Sequence, residues 1–402
     1  MQAYTPKIKA ATSTILGVFL LFLPACGNGQ LTWQGSETPE EEFQTESSGA
    51  VFADAVPVNA VQTTTPPVIE LGNCATNFSN NPNNACKTLA IACGGNDYSE
   101  VQVRMHYPPP TTTPMGTIVF GSGGTGTNWV YNPMNPDNKI YMAIDRLVSD
   151  GYTVVERTWT NGWWGDGQAG DGLVAPACRY VELLKWLKTN VYNQGGFCAM
   201  GNSGGSSEIA YGMTHWNAGN LLDLAVLSGG PPMGRIDYGC FYDNAPGWKN
   251  ECLQMWNQFG HADECGRLDI DPLVINDPNY TDNIVSSDAA CGYGLSQQTT
   301  FDAAFSMPGN TNICSTQSPG SQNYMRHESV LSPNALLSYP NTSMHFIFGK
   351  SDCTEAALLG KLYAYEVASQ KTVTHLDGVV HSIWKSLDGA KRVYKTLKNG
   401  CH

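Results

Sequence analysis

Apolar and polar positions along this chain follow two rhythms. In "SEVQVRMHYP", residues 99–108, Val101, Val103 and Met105 fall at every second position, the period of a half-buried strand. In "NKIYMAIDRLVSDG", residues 138–151, Ile140, Ile144, Leu147 and Val148 share one helical face and Gly151 supplies a stop. The runs "GTIVF", "YTVVERTW", "GFCAM", "LLDLAVLSGG", "MHFIFG" and "KTVTHL" read as further strands. "CRYVELLKWLKTNV" and stretches near 354–368 and 382–398 read as helices. Short strands alternating with helices predict an α/β fold, a mostly parallel central sheet flanked by helices, over residues 68–402. No internal repeat is evident.

Two stretches break the rhythm. Residues 28–67 have no sustained apolar period and are rich in Glu, Thr, Ser and Pro, which predicts a disordered tether. Residues 231–340 are loop-like and hold Cys240, Cys252, Cys265, Cys291 and Cys314. A structureless loop of that length does not suit a compact domain, so the stretch is expected to form a cap subdomain inserted into the main one.

The amino terminus has Lys7 and Lys9, an apolar run from Ile15 to Leu23, and small residues around Cys26. The run is too short for a membrane span and reads as an export signal over residues 1–27. "LPAC" resembles a bacterial lipobox, which would make Cys26 the lipid-bearing first residue and attach the protein to a membrane. Plain cleavage after Gly27 is the alternative. Only 14% of residues are charged, against roughly 25% for ordinary soluble domains, which suits a secreted or surface-held protein. The net charge of -13 argues against nucleic-acid partners. Of 13 cysteines, either processing route removes Cys26 and leaves an even number for disulfides in an oxidising compartment. The five in the insertion cannot all pair with one another, so full oxidation implies a bridge from insertion to core. No CxxC occurs, and the acid-rich "DIDPLVINDPNYTDN" lacks EF-hand spacing, so no metal is assigned. The sequons at Asn77, Asn279 and Asn341 matter only in a host that glycosylates.

The chemistry gathers at "GNSGG", residues 201–205. A strand enters it and a helix leaves it, so Ser203 sits on a sharp turn that only small flanking residues tolerate. A serine hydroxyl needs a base and an acid to orient that base. Asp352 follows the strand "MHFIFG", and His381 lies in the loop after "KTVTHL", which gives the order nucleophile, acid, histidine. Asp377 is the rival acid, only four residues from His381. Two N–H donors are needed for an oxyanion. Gly204 supplies one, and the loop "GSGGTGTNW" the other, from Gly124, Gly123 or Ser122. Trp159, Trp163 and Trp164 follow a central strand where α/β sheets bind ligands, which makes them the substrate-stacking candidates, although ordinary packing is the favoured reading of their residue type.

Order and spacing over roughly residues 98–230 and 342–398 resemble the α/β-hydrolase superfamily. "GTIVFGSGGTGTNW" with "MGNSGGS" is also similar to bacterial cutinases and related polyester hydrolases, whose corresponding loop supplies an oxyanion donor; the resemblance implies Gly124. The chain departs from that group by its insertion, by Asn202 where histidine is common and by Gly204 where methionine is usual. It departs from the tannase and feruloyl-esterase pattern by Asn202 and Ser382 where cysteines stand. The expectation is an exported serine esterase that acts on an ester substrate without a cofactor. Its rivals are a peptidase or amidase on the same residues and a non-catalytic surface module that binds glycan or protein. The sequence does not indicate the oligomeric state.

Overall fold

The computed structural model describes residues 43–44, 67–74, 84–93, 98–164, 172–237, 319–350, 352 and 355–402. The stretch read as an export signal with Cys26, most of the stretch read as a tether, the acid-rich stretch and the five cysteines between residues 231 and 340 lie outside them. The described residues belong to one compact unit.

Ten strands make one sheet: β1 (Phe43–Gln44), β2 (Val68–Asn73), β3 (Ala85–Ala92), β4 (Tyr98–His106), β5 (Gly116–Gly121), β6 (Tyr152–Trp159), β7 (Gly196–Asn202), β8 (Leu224–Ser228), β9 (Ser343–Gly349) and β10 (Lys371–Leu376). Their spatial order is β1-β10-β9-β8-β7-β5-β6-β4-β3-β2. From β10 to β6 every neighbour is parallel, while β4, β3, β2 and β1 join antiparallel. β5 and β6 exchange places, so β5 lies beside β7, which enters the "GNSGG" turn. With its flanking helices this is the α/β-hydrolase fold.

The sequence dictates which strands are central. Every residue of β5, β7 and β8 is buried, as parallel strands covered on both faces require. β4 keeps the alternation of a strand with one buried face, with Val101, Val103 and Met105 inward. Among the described residues there are six α-helices, α1 (Ile140–Ser149), α2 (Cys178–Asn190), α3 (Gly204–Trp216), α4 (Pro319–His327), α5 (Glu355–Glu366) and α6 (Leu387–Gly400), of which α1, α2, α3, α5 and α6 pack on the sheet. Strand residues alternate between two cores. Ile118, Val154, Met200 and Ile347 pack with α1 and α6, whereas Val119, Val155, Ala199 and Phe346 pack with α2, α3 and α5. Helix α6 begins at Ser386, whose Oγ accepts the Gly389 N–H at 2.8 Å.

Two elements escape the sequence pattern. The β2–β3 hairpin has an edge strand that is mostly exposed, so no clean apolar period marks it. Helix α4 lies inside the insertion and is mostly polar. The base of the insertion is pinned: Val330 and Leu331 donate N–H bonds to Met233 O and Gly234 O, both at 3.0 Å, and Ile236 N–H donates to Ser329 Oγ at 2.9 Å.

Among the described residues three disulfides join Cys74 to Cys86, Cys93 to Cys178 and Cys198 to Cys401. They fit an oxidising compartment. Among the described residues no helix is long and apolar enough to cross a membrane. The Cys198–Cys401 bridge ties the strand leading to Ser203 to the end of α6 across a separation of 203 residues. Replacing both cysteines by alanine should lower stability by about 5 kcal/mol, the loop-closure entropy such a bridge removes from the unfolded chain. Urea unfolding measures it.

Burial pushes His215 and His345 down to about 4, so both are neutral in the fold at pH 6. The unfolded chain protonates them near pH 6.5, so it binds protons the folded state refuses. Stability should therefore be complete above pH 6.5 and fall by about 1.4 kcal/mol per pH unit for each histidine as pH drops toward 4. Melting temperatures between pH 7 and 5 should fall less steeply in a His215→Gln/His345→Gln variant than in the wild type.

Candidate active site

Strand β7 ends at Asn202 and α3 begins at Gly204, so Ser203 alone makes the turn. Its backbone sits at φ 53°, ψ -119°, a region a β-substituted residue occupies at a cost of about 1–3 kcal/mol. Hydrogen bonds hold it there. Ser203 N–H donates to Ser228 O at 2.8 Å, and Ser206 Oγ–H is shared between Gly201 O and Ser228 O at 2.9 and 2.8 Å. Ser228 Oγ lies 3.1 Å from Gly201 O and 2.9 Å from Asn202 Oδ1. The neighbours must be glycine because backbone touches backbone here. A Cβ on Gly201 would lie 2.4 Å from Gly205 C, and one on Gly205 would lie 2.3 Å from Gly121 O.

Three strand ends bring the reacting groups together. His381 Nε2 lies 2.8 Å from Ser203 Oγ, and His381 Nδ1 lies 3.1 Å from Asp352 Oδ2. The Asp352 side chain is fully buried and the imidazole nearly so, which keeps the carboxylate's field on the histidine and away from water. Asp352 is placed by its N–H bond to Gly349 O at 3.1 Å, just past β9. Asp377, the rival acid, is 87% exposed at its side chain and pairs with Lys350 at 2.9 Å, facing solvent instead of the imidazole.

Gly123, Gly124 and Gly204 meet beside the serine. A Cβ on Gly123 would stand 3.3 Å from Ser203 Cβ. One on Gly204 would stand 1.9 Å from Gly124 O and 2.8 Å from Gly124 N. Gly123 O accepts the Gly126 N–H at 3.2 Å, so the Gly124 N–H, on the opposite side of the same planar peptide, points away from that turn.

The three tryptophans do not offer themselves to a substrate. Trp159, Trp163 and Trp164 are 1%, 1% and 4% exposed and belong to the core beneath α2 and α3. Trp159 Nε1–H donates to Glu208 at 2.6 Å, and Trp163 packs on Trp164 and Tyr211 with ring centroids 5.0 and 5.6 Å apart. Their position after a central strand suggested a binding role; what decides against it is that these side chains fill the space between sheet and helix.

Buried charge nearby went unread in the sequence. Arg157 and Glu208 are fully buried and joined by an ion pair, and Glu156 pairs with His106 at 2.7 Å on the other face of β6. The signal was there: "ERT" interrupts an apolar run that is central in the sheet. Burial raises the Glu208 pKa while Arg157 and the Trp159 N–H pull it down.

No family model and no curated protein matches the sequence. Among solved structures the chain is similar to brefeldin A esterase, described as a bacterial homologue of human hormone sensitive lipase. That likeness has 16% identity and a TM-score of 0.44, and covers 81% of this chain and 76% of that one. Carboxyl esterase 2 from the mycorrhizal fungus Tuber melanosporum matches at 13% identity and a TM-score of 0.40, covering 82% and 91%. A puromycin-hydrolyzing peptidase of Mycobacterium tuberculosis matches at 10% identity and a TM-score of 0.41, covering 77% of this chain and 38% of that one. Likenesses this distant leave substrate open.

Gly204→Ala tests the close approach. Its Cβ meets backbone, which cannot swing aside, so the variant should lose about 1–3 kcal/mol of stability by thermal melting.

Proposed function

We propose that the protein is a serine hydrolase that cleaves carboxylic esters through an acyl-enzyme. The observation that carries the reading is the unbroken line Ser203 Oγ, His381 Nε2, His381 Nδ1, Asp352 Oδ2, with contacts of 2.8 and 3.1 Å. A surface module that only binds glycan or protein has no use for this alignment.

In this reading Ser203 attacks the ester carbonyl while His381 Nε2 takes its proton. Asp352 accepts the Nδ1–H, fixes the tautomer that leaves Nε2 free, and steadies the imidazolium. His381 returns the proton to the departing alkoxide. Water, activated by the same imidazole, then attacks the acyl-serine, and Ser203 recovers its proton as the acid leaves. The N–H groups of Gly204 and Gly124 stabilise the oxyanion in both steps. Gly204 opens α3, whose first N–H groups and dipole favour negative charge there. The residues named here complete the chemistry without a cofactor.

The disulfides support placing the protein outside the cytoplasm. There it is either released or held to a membrane by a lipid on Cys26, and mass spectrometry of the mature amino terminus separates the two.

The test is turnover of p-nitrophenyl esters from acetate to palmitate beside Ser203→Ala. Wild type should turn over, and the variant should fall by several orders of magnitude, about a million-fold in a well-studied serine protease. Equal activity of the two proteins overturns the reading; turnover of amide analogues at rates matching the esters moves it to an amidase.

A further inference from the structure

The start of the connection from β5 to α1, residues 122–126, carries the loop donor of the oxyanion site, and three of its five residues are glycines with no side chain to pack. Something else must fix it. Arg157, on β6, is fully buried, and its guanidinium sits inside the curve of that loop. Nη1–H donates to Gly126 O at 3.0 Å and reaches Ser122 Oγ at 3.4 Å, while Nη2 reaches Ser122 O at 3.4 Å. Glu208, five residues past Ser203 on α3, holds the other side of the guanidinium, and its second oxygen takes the Trp159 N–H. Room for the cation explains two of the loop's glycines. A Cβ on Gly121 would stand 2.7 Å from Nη2, and one on Gly126 would stand 2.6 Å from Nη1.

We infer that Arg157 is a positioning residue: its guanidinium, anchored by Glu208, draws the carbonyls of Ser122 and Gly126 inward and so sets where the loop's outward N–H groups meet the oxyanion. The inference rests on the reading of Ser203 as nucleophile and adds the group that orders the oxyanion loop. The physical warrant is the planar fork. One arginine can bond two carbonyls and a carboxylate at fixed angles, whereas a lysine ammonium is a point charge that cannot span them. Because Glu208 lies on α3, the same fork ties the loop to the helix whose first N–H is the other donor. Both donors are thereby referred to one buried group.

Arg157→Lys tests this, since it keeps a cation beside Glu208 and removes the fork. An Arg157→Met/Glu208→Met variant removes both buried charges together and covers the case in which the lysine variant folds poorly. Each is measured on the best p-nitrophenyl ester for kcat and KM, with competent sites counted by stoichiometric labelling with an organophosphonate. Affinity for an aryl boronic acid, which adds to the serine as a tetrahedral anion, reports the oxyanion site directly.

Per competent site, kcat should fall about 10- to 100-fold, less than the loss of a whole donor, while KM shifts by less than about 3-fold. Boronate affinity should fall in step with kcat. Either variant overturns the inference if it keeps wild-type kcat per labelled site, or if kcat falls while boronate affinity is unchanged. A wild type that takes no label at Ser203 overturns the nucleophile reading instead, and the present inference with it.

Discussion

The structure depends on one strained residue. Ser203 must leave β7 and enter α3 within a single turn, at a positive φ that its side chain resists. The strain persists because the chain on every side is already committed: β8 accepts the Ser203 N–H, Ser206 staples the turn to two strands, and α3 is buried from Gly204 to Thr214. Relaxing the serine would mean lifting a buried helix off a ten-stranded sheet. Stored strain at this point is the cost of presenting a hydroxyl clear of its own backbone.

That constraint also explains how the site reads in the sequence. A serine on such a turn needs glycines around it, and glycines between an apolar strand and a helix are conspicuous. Asp352 is legible for a related reason, because it follows the apolar run of buried β9 by three residues, while His381 is marked by its place in the loop between strand β10 and the last helix. Central strands of a parallel sheet announce themselves by unbroken burial, and so nearly the whole order from β4 to α6 could be read. The hairpin β2–β3 could not, since an exposed edge strand carries no such signature; the Cys74–Cys86 bridge staples its two strands to each other, and pairing of β3 with β4 holds it to the sheet. The tryptophans are the ambiguous case. Their address was right for a binding site, but sequence does not say which way a large side chain turns.

Charge inside the core is the part furthest from sequence reasoning. Arg157 and Glu156 are adjacent on β6 and so face opposite sides of the sheet. Arg157 takes hold of the β5–α1 connection near its start, while Glu156 accepts the Tyr131 N–H at 2.5 Å further along it. One strand thus clamps the same connection twice, from above and below. Buried ions are unfavourable unless their polar atoms are engaged, and here carbonyls, an indole and a backbone amide engage most of them, while the Arg157 Nε–H has no hydrogen-bond partner among the described residues. A pattern of apolar positions treats these charges as interruptions; the fold uses them to give shape to a segment that glycine leaves shapeless.

The pinned base of the insertion carries a different consequence. Met233 and Gly234 on one side are bonded to Val330 and Leu331 on the other, and α3 adds Tyr211 Oη–H to Glu328 O at 2.6 Å. Seen from the sheet, the chain leaves and returns at nearly one point. The entropy of closing a loop held in this way grows only with the logarithm of its length, about 0.6 kcal/mol per doubling. Descendants of this chain can therefore lengthen, shorten or rebuild the excursion between those anchors with little thermodynamic consequence for the sheet and helices that carry Ser203. Inheritance can act on the two separately.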